Sequence, residues 1–277
     1  MAAAPRRERY TDFQGKSVHL RVVEEPEEGI PFRLWRAARV LCGWLERQEG
    51  WCQGRRVLEL GAGAGLVGML CGHLGAEATL TDQRDVVPFT QRNVELNRLP
   101  PDAPGSVRVE VLDFGDDIRD RFGRGHFDAV VGSDVSYWEH LHGPLLLTLL
   151  QLADEKVEVV LAHSWRCGED AGARERWRGR FAGRFDVDVL LEDLPGAGPA
   201  QPPAGQPPDE ALTELSAPVS LLRLRLRGAP PAGAELAAML ERQHEEDALR
   251  ALKRPSQLTP RERQETASAA AHARRAR

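Results

Sequence analysis

The sequence predicts an α/β fold, namely a Rossmann-like, doubly wound sheet of seven strands that is mostly parallel and has an antiparallel final strand. Short apolar runs alternate with amphipathic segments along most of the 277 residues, which is typical of parallel strands joined by helices. The last two apolar runs follow each other without a long helix between them. We therefore expect them to pair as an antiparallel hairpin at one edge of the sheet.

The elements are expected in a regular order along the chain. Residues 1–14 are polar and are expected to be loose, residues 17–23 alternate like an edge strand, and residues 31–49 carry the apolar stripe of a helix. Strands of the main sheet are predicted at residues 55–60, 78–82, 107–112, 127–133, 157–163, 185–191 and 219–226. Helices are predicted up to residue 74 and at residues 85–97, 145–153, 171–181 and within 230–252.

Three regions follow from this order. Residues 1–54 form an N-terminal extension of a strand and a helix, and residues 55–228 form the main α/β domain. Within that domain, residues 195–209 are rich in proline, glycine and alanine and are expected to be a flexible loop. Residues 229–277 are expected to form one helix followed by a disordered tail.

Composition narrows the classes of function. The net charge of −5 gives no reason to expect a nucleic-acid partner for the body of the protein. The four cysteines are scattered and form no C-x-x-C pair, so we expect a reducing compartment: the cytoplasm, with the nucleus as second choice. The basic N-terminus lacks an apolar segment and no apolar run approaches a membrane span, so we expect neither a signal peptide nor a transmembrane helix, and we expect a monomer.

A glycine-rich turn over residues 57–68 is the strongest local signal. It begins as an apolar strand, carries glycine at alternate positions from Gly61, and continues into a helix, which is the layout of a nucleotide-type ligand site. The spacing of Gly63, Gly65 and Gly68 fits the dinucleotide fingerprint but begins two residues late. With the acid Glu59 two residues before the first glycine, the pattern E-x-G-x-G-x-G resembles motif I of class I S-adenosylmethionine-dependent methyltransferases. An acid near the turn suits that cationic cofactor better than a diphosphate.

Two further strand ends carry polar side chains. Asp82 ends the second strand of the sheet, where a carboxylate can accept hydrogen bonds from ribose hydroxyls of either ligand. Asp134 and Tyr137 follow the fourth strand, and an acid and a phenol three residues apart can meet one substrate group there. A cap for Asp134 and aromatic packing for Tyr137 are the alternative interpretations. His140 and His142 have metal-like spacing but no third ligand nearby, so no metal site is predicted.

Taken in order, these motifs resemble a known family. Residues 57–68, 81–82, 112–115 and 131–137 look like the successive motifs of the seven-strand, class I S-adenosylmethionine-dependent protein-lysine methyltransferases, the methyltransferase-like enzymes with a D-x-x-Y signature. The resemblance covers roughly residues 17–227. It implies a protein substrate, with chaperones and translation factors among those of related enzymes, and S-adenosyl-L-methionine as cofactor.

The resemblance also implies roles for individual residues. Asp134 and Tyr137 would act at the target nitrogen, while Asp82 would hold the ribose. The remaining cofactor-binding positions would be Trp35, Glu59, Gly61, Ala62, Gly63, Phe114 and Ser133. Three positions depart from the family pattern: Phe114 stands where tryptophan is usual, Ala64 where threonine is common, and Trp138 where a smaller or acidic residue is usual.

Other functions remain open at this point. Nucleic-acid amino methyltransferases carry two prolines where this chain has Val135 and Ser136, which argues against a base as substrate. The motifs do not exclude a small-molecule N-methyltransferase, and the glycine spacing leaves an NAD-type dinucleotide oxidoreductase as an alternative. A non-catalytic binding module that keeps the fold is disfavoured, because the acids and Tyr137 of the motifs are intact.

Overall fold

The computed structural model describes residues 8–165, 172–193 and 217–251. The strands are β1 Arg9–Gln14, β2 His19–Glu24, β3 Arg56–Leu60, β4 Glu77–Asp82, β5 Ser106–Val111, β6 Ala129–Ser133, β7 Glu158–Ser164, β8 Phe185–Asp193 and β9 Val219–Leu226. The helices are α1 Arg36–Leu45, α2 Leu66–His73, α3 Val87–Leu96, α4 His142–Leu152, α5 Ala173–Ala182 and α6 Gly233–Ala251. The predicted flexible loop at 195–209 and the tail beyond residue 253 lie outside the described residues.

Seven strands form the main sheet in the order β5-β4-β3-β6-β7-β9-β8. Strands β3 to β7 pair in parallel, and β9 is antiparallel to both β7 and β8. The predicted fold class is therefore confirmed. The chain runs outward from β3 in one direction and from β6 in the other, so the carboxyl ends of these two strands form the topological switch point where α/β sheets bind ligands.

Apolar side chains pack on both faces of the sheet. Along β3, Val57 belongs to the cluster that also contains residues of α1 and α2, while Leu58 and Leu60 belong to the cluster that contains residues of α4 and α5. Helix α6 joins this second cluster through Leu236 and Leu240. It therefore packs on the main α/β domain. None of the helices in the described part of the chain combines the length and the hydropathy of a membrane-spanning segment.

The N-terminal extension differs most from the prediction. Residues 9–14 are strand β1 rather than loose chain, and β2 pairs with β1 in a separate hairpin instead of at the edge of the main sheet. Side-chain amides on α3 hold this hairpin. Asn93 bonds the backbone N–H and C=O of Val23 at 2.8 and 3.2 Å, and Asn97 bonds those of Arg21 at 2.9 and 2.8 Å.

The first helix is shorter than its apolar stripe suggested. It begins at Arg36, and two single 3-10 turns, Pro26–Glu28 and Ile30–Phe32, precede it. Gly29 separates the two turns with a φ of 129°, which interrupts any continuous helix there. The predicted start near residue 31 was wrong because the stripe continues into this irregular segment.

Candidate active site

A cleft of about 770 Å³ opens at the switch point of the sheet. It runs between the glycine turn after β3, the end of β4 and the segment after β6. The predicted site residues that line it are Trp35, Gly61, Ala62, Gly63, Asp82, Phe114, Ser133, Asp134 and Tyr137. The structure thus brings seven of the eight predicted cofactor positions and both predicted acceptor positions into one cavity, which has the size of a small-molecule site.

Two glycines of the turn are needed for its shape. Gly61 and Gly63 have φ values of 58° and 51°, in the left-handed region that side chains disfavour. A Cβ atom at Gly61 would lie 2.8 Å from Cγ1 of Val135, and one at Gly63 would lie 2.7 Å from the carbonyl oxygen of Pro31. The turn therefore packs against the loop after β6 on one side and against the N-terminal segment on the other.

Asp82 connects this turn to the end of β4. Its Oδ2 accepts a hydrogen bond from the Gly63 N–H at 2.7 Å, and its Oδ1 accepts one from the Gln83 N–H at 2.8 Å. Burial raises the pKa of Asp82 to about 6, although both N–H groups favour the ionised form. An ionised carboxylate offers about four lone-pair positions, so Asp82 can also accept from two ligand hydroxyls.

Glu59 does not line the cleft, which corrects the expectation that it faces the ligand. Its side chain points to the face of the sheet covered by α2, where Oε2 accepts a hydrogen bond from the Gly68 N–H at 2.8 Å. Burial is the main cause that raises the pKa of Glu59 to about 8, and the charge of Asp82 adds to it. Glu59 therefore stabilises the glycine turn and the start of α2 from the buried face of the sheet, not from the cleft.

The N-terminal segment forms one wall of the cleft. Trp35, which precedes α1 instead of lying inside it, donates its indole N–H to the carbonyl oxygen of Ile30 at 3.0 Å. The segment itself is tied to the hairpin, because the Leu34 N–H donates to Glu24 at 2.7 Å and the Glu25 N–H donates to the Phe32 carbonyl at 2.9 Å. The hairpin on α3 thereby holds the wall that carries Trp35.

Asp134 occupies an unusual backbone position directly after β6. Its φ is 54°, and it is the single non-glycine residue with positive φ in the part of the chain that the structure describes. Its carboxylate accepts hydrogen bonds from the backbone N–H and the hydroxyl of Ser164, each at 2.8 Å. Strained backbone held by its surroundings is typical of functional sites.

Aromatic rings continue from Asp134 toward the mouth of the cleft. The rings of Tyr137 and Trp138 lie 4.7 Å apart, and the Trp138 ring stacks on His140 at 5.3 Å. The neighbouring Ser136 is buried, and its hydroxyl contacts Nδ1 of His163 at 3.0 Å and accepts a hydrogen bond from the indole N–H of Trp177 at 2.9 Å. These contacts fix the loop that presents Tyr137.

Sequence reasoning missed the residues on β7 and α5 that hold this loop. Ser164, at the end of β7, and Trp177, in α5, are far from Asp134 along the chain, and neither belongs to a recognised motif. One signal was present: Ser164 ends the parallel strand that neighbours β6, so its side chain lies at the same edge of the sheet.

Carboxylates outnumber cationic groups around the cleft. The acids that line it are Glu27, Glu28, Asp82, Asp85, Asp113 and Asp134, and the arginines are Arg33 and Arg84. Burial raises the pKa of Asp113, and the charges of Asp116 and Asp85 act in the same direction. This excess of acids suits cationic ligands. Across the described residues, no group of three or more His, Cys, Asp or Glu side chains is arranged to hold a metal ion.

The fold and this cleft define a class I S-adenosylmethionine-dependent methyltransferase. A family model described as lysine methyltransferase matches residues 14–174, and the chain belongs to that family. The predicted enzyme class is thereby confirmed, and S-adenosyl-L-methionine is the cofactor rather than a dinucleotide.

Relatives of known sequence and structure agree with this assignment. The chain is 36% identical over 165 residues to the protein N-lysine methyltransferase METTL21A of Danio rerio, covering 60% of this chain and 73% of the relative. It is 34% identical over 165 residues to the EEF1A lysine methyltransferase 3 of Mus musculus, covering 60% and 68%. A solved structure of a 16S rRNA methyltransferase of T. thermophilus is 16% identical in sequence and superimposes with a TM-score of 0.51. The match covers 80% of this chain and 52% of the methyltransferase chain, and it shows a shared fold.

Proposed function

We propose that the cleft receives a lysine side chain of a protein substrate and that Asp134 and Tyr137 align its nitrogen with the methyl group to be transferred. The observation that carries this proposal is the continuity of the cavity: the glycine turn and Asp82 line the same space as Asp134 and Tyr137. Donor and acceptor can therefore meet without rearrangement of the sheet.

The residues on the cofactor side fit S-adenosyl-L-methionine. Gly61 and Gly63 line the cleft, and because they lack Cβ atoms the turn can pack closely against Val135 and Pro31 and present its backbone to a ligand. Asp82 presents a carboxylate that suits the two ribose hydroxyls, and Trp35 and Phe114 offer apolar ring surface for the adenine. When bound, this cofactor supplies an electrophilic methyl group on a sulfonium. The protein's own contribution is then mostly positioning.

Asp134 has the chemistry to hold the incoming amine. A lysine with an ordinary pKa of ~10.4 arrives as an ammonium ion, and a buried carboxylate attracts it. After the ammonium loses a proton to water, the carboxylate of Asp134 still accepts a hydrogen bond from the neutral amine. That bond turns the nitrogen lone pair toward the donor, while the Tyr137 ring, which lines the same cleft, restricts the positions that the substrate side chain can take.

A translation factor is the substrate class that we propose, with a chaperone as second choice. The support is the similarity to an EEF1A lysine methyltransferase, together with the acidic lining of the cleft, which suits a lysine in a basic surface. We further propose the cytoplasm as the compartment. Three cysteine thiols, Cys42, Cys52 and Cys71, are buried and free, which fits a reducing environment.

The test is transfer of a labelled methyl group from S-adenosyl-L-methionine into a lysate of methylation-depleted cells, followed by mass spectrometry of the labelled residue. We expect label on a lysine of a protein, and a loss of about 10²-fold or more for Asp134→Ala. Asp128→Ala is the matched control, because Asp128 precedes β6 at the opposite end of the same strand and pairs with Arg56. Label in RNA or small molecules alone, or full turnover by Asp134→Ala, contradicts the proposal.

A further inference from the structure

The carboxylate of Asp134 is held by one residue of the neighbouring strand. The Ser164 N–H donates to Oδ1, and the Ser164 hydroxyl donates to Oδ2, both at 2.8 Å. Each carboxylate oxygen therefore receives its own donor. Both residues are buried, with exposures of 5% for Asp134 and 2% for Ser164, so water does not replace these bonds readily.

The two bonds have different consequences for the orientation of the carboxylate. The backbone of Asp134 is fixed by its own N–H, which donates to the Ala162 carbonyl at 2.8 Å, and by the positive φ. The terminal torsion of an aspartate side chain, however, is soft and has broad minima. The Ser164 N–H restrains this torsion at one carboxylate oxygen. The Ser164 hydroxyl bonds the other oxygen and narrows the torsion further.

We propose that Ser164 is a positioning residue for methyl transfer: its hydroxyl fixes the rotation of the Asp134 carboxylate that receives the substrate amine. The inference rests on the proposed function, because it assigns a role to Ser164 through Asp134. It adds a residue from β7 that touches neither the acceptor nor the cofactor. Ser164 is absent from the lining of the cleft, which supports an indirect role.

Ser164→Ala removes the hydroxyl and keeps the backbone donor. We expect kcat to fall by roughly 10- to 100-fold, because small errors in the orientation of reacting groups are costly. The KM for S-adenosyl-L-methionine should stay within about twofold of wild type, since the glycine turn and Asp82 are unchanged. This division between kcat and KM distinguishes positioning from a general loss of structure.

Ser220→Ala is the matched control. Ser220 lies on β9 opposite His163, is 1% exposed, and donates its hydroxyl to a carboxylate oxygen of Glu192 at 2.8 Å while accepting the indole N–H of Trp165. Its replacement also removes a buried hydroxyl from a carboxylate, but Ser220 does not line the cleft. We expect a similar change in Tm for both variants and a loss of kcat for Ser164→Ala alone.

A measurement that needs no turnover separates this inference from the proposed function. In carboxyl-carbon NMR, the resonance of residue 134 should titrate at a higher pH in Ser164→Ala than in wild type. The lost hydroxyl no longer stabilises the ionised carboxylate, so the carboxyl group binds its proton more tightly. An unchanged titration, or equal kcat for Ser164→Ala and Ser220→Ala, overturns the role of Ser164. If wild type labels no protein lysine, the proposed function fails, and the NMR titration still decides whether the Ser164 hydroxyl holds Asp134.

Discussion

The carboxylate of Asp82 accepts a hydrogen bond from the backbone N–H of Gly63, with 2.7 Å between Oδ2 and the nitrogen. An acid at the end of β4 thus fixes the turn that follows β3. The same carboxylate lines the cleft where the ribose of the cofactor is expected. Because one residue both shapes the turn and offers the ribose contact, changes at Asp82 should affect cofactor binding twice, through geometry and through the lost contact.

Asp82→Asn should weaken the binding of S-adenosyl-L-methionine by roughly 10²-fold. The amide keeps the size of the side chain, but its NH₂ group opposes a backbone donor and cannot accept a hydroxyl proton. Hydrogen bonds to charged groups contribute about 1.5–3 kcal/mol each. Isothermal titration calorimetry measures the Kd, and Asp128→Asn, at the far end of β6, should bind as wild type does. Equal Kd values for the two variants contradict the assignment of the ribose contact.

The same contact predicts a pH dependence of cofactor binding. Burial raises the pKa of Asp82 from 3.8 to about 6, so the carboxylate gains a proton as the pH falls through about 6. A ribose hydroxyl donates to the ionised form, and the affinity should therefore fall at lower pH, by at most about tenfold per pH unit. Calorimetry at pH 5, 6 and 7.5 measures this slope in wild type. In Asp82→Asn the slope should be much smaller, and a pH-independent Kd in wild type would speak against the ribose contact.

The sequence predicted the strand ends better than the partners of the side chains there. Asp82, Asp134 and Tyr137 were found because parallel strands present their carboxyl ends to one crevice. Ser164 was not found, because its contact with Asp134 depends on which strand lies beside β6. That order is set by packing of the whole sheet.

Glu59 shows a different limit of sequence reasoning. Its place near the glycine turn suggested contact with the ligand, but alternate residues of a strand share one face, and Glu59 shares the face of Val57. That face is covered by α2. The N-terminal hairpin was missed for another reason: β1 and β2 pair only with each other and are held by amide side chains of α3, which leave no periodic pattern.

A Cβ atom at Gly63 should be costly beyond the strain of its backbone. Gly63→Ala places that atom 2.7 Å from the Pro31 carbonyl oxygen at a φ of 51°. Gly50, with a φ of 70° and no neighbour within 4 Å, is the matched control. Gly50→Ala should lose about 1–2 kcal/mol from backbone conformation alone. Urea denaturation should show a larger loss in free energy of unfolding for Gly63→Ala, and cofactor binding should weaken as well. Equal losses for the two variants would mean that the segment at Pro31 moves away from the new Cβ atom at no cost.

The two asparagines of α3 make the same kind of hydrogen bonds to β2 but differ in burial, so they show how burial affects the value of such bonds. Each bonds one N–H and one C=O of β2, but Asn93 is fully buried, whereas the bonds between Asn97 and Arg21 are exposed. Asn93→Ala leaves two buried backbone groups unpaired at about 1–3 kcal/mol each, while water replaces Asn97. Urea denaturation should show a loss for Asn93→Ala of at least about 2 kcal/mol and a much smaller one for Asn97→Ala. A larger loss for Asn97→Ala than for Asn93→Ala would mean that the bonds between Asn93 and the hairpin are not buried.

Glu59 should make the stability of the protein depend on pH. Its pKa is raised from 4.5 to about 8, mainly by burial, so the native state binds this proton more tightly than the unfolded chain does. The contribution of Glu59 to stability is therefore fully present below pH 4.5 and is lost as the pH rises toward 8, by at most about 1.4 kcal/mol per pH unit. Glu59→Gln keeps an oxygen that can accept the Gly68 N–H but cannot ionise.

Denaturation of wild type and Glu59→Gln at pH 5, 6.5 and 8 tests this directly. The difference in free energy of unfolding should move in favour of the variant as the pH rises. The contributions of titrating groups that do not interact with Glu59 cancel in this difference, whereas the charge of Asp82, which helps to raise the pKa of Glu59, is part of the measured effect. A difference that stays constant over this range would mean that Glu59 is already ionised in the native protein at pH 5. Its bond to Gly68 would then hold the glycine turn as a charged contact.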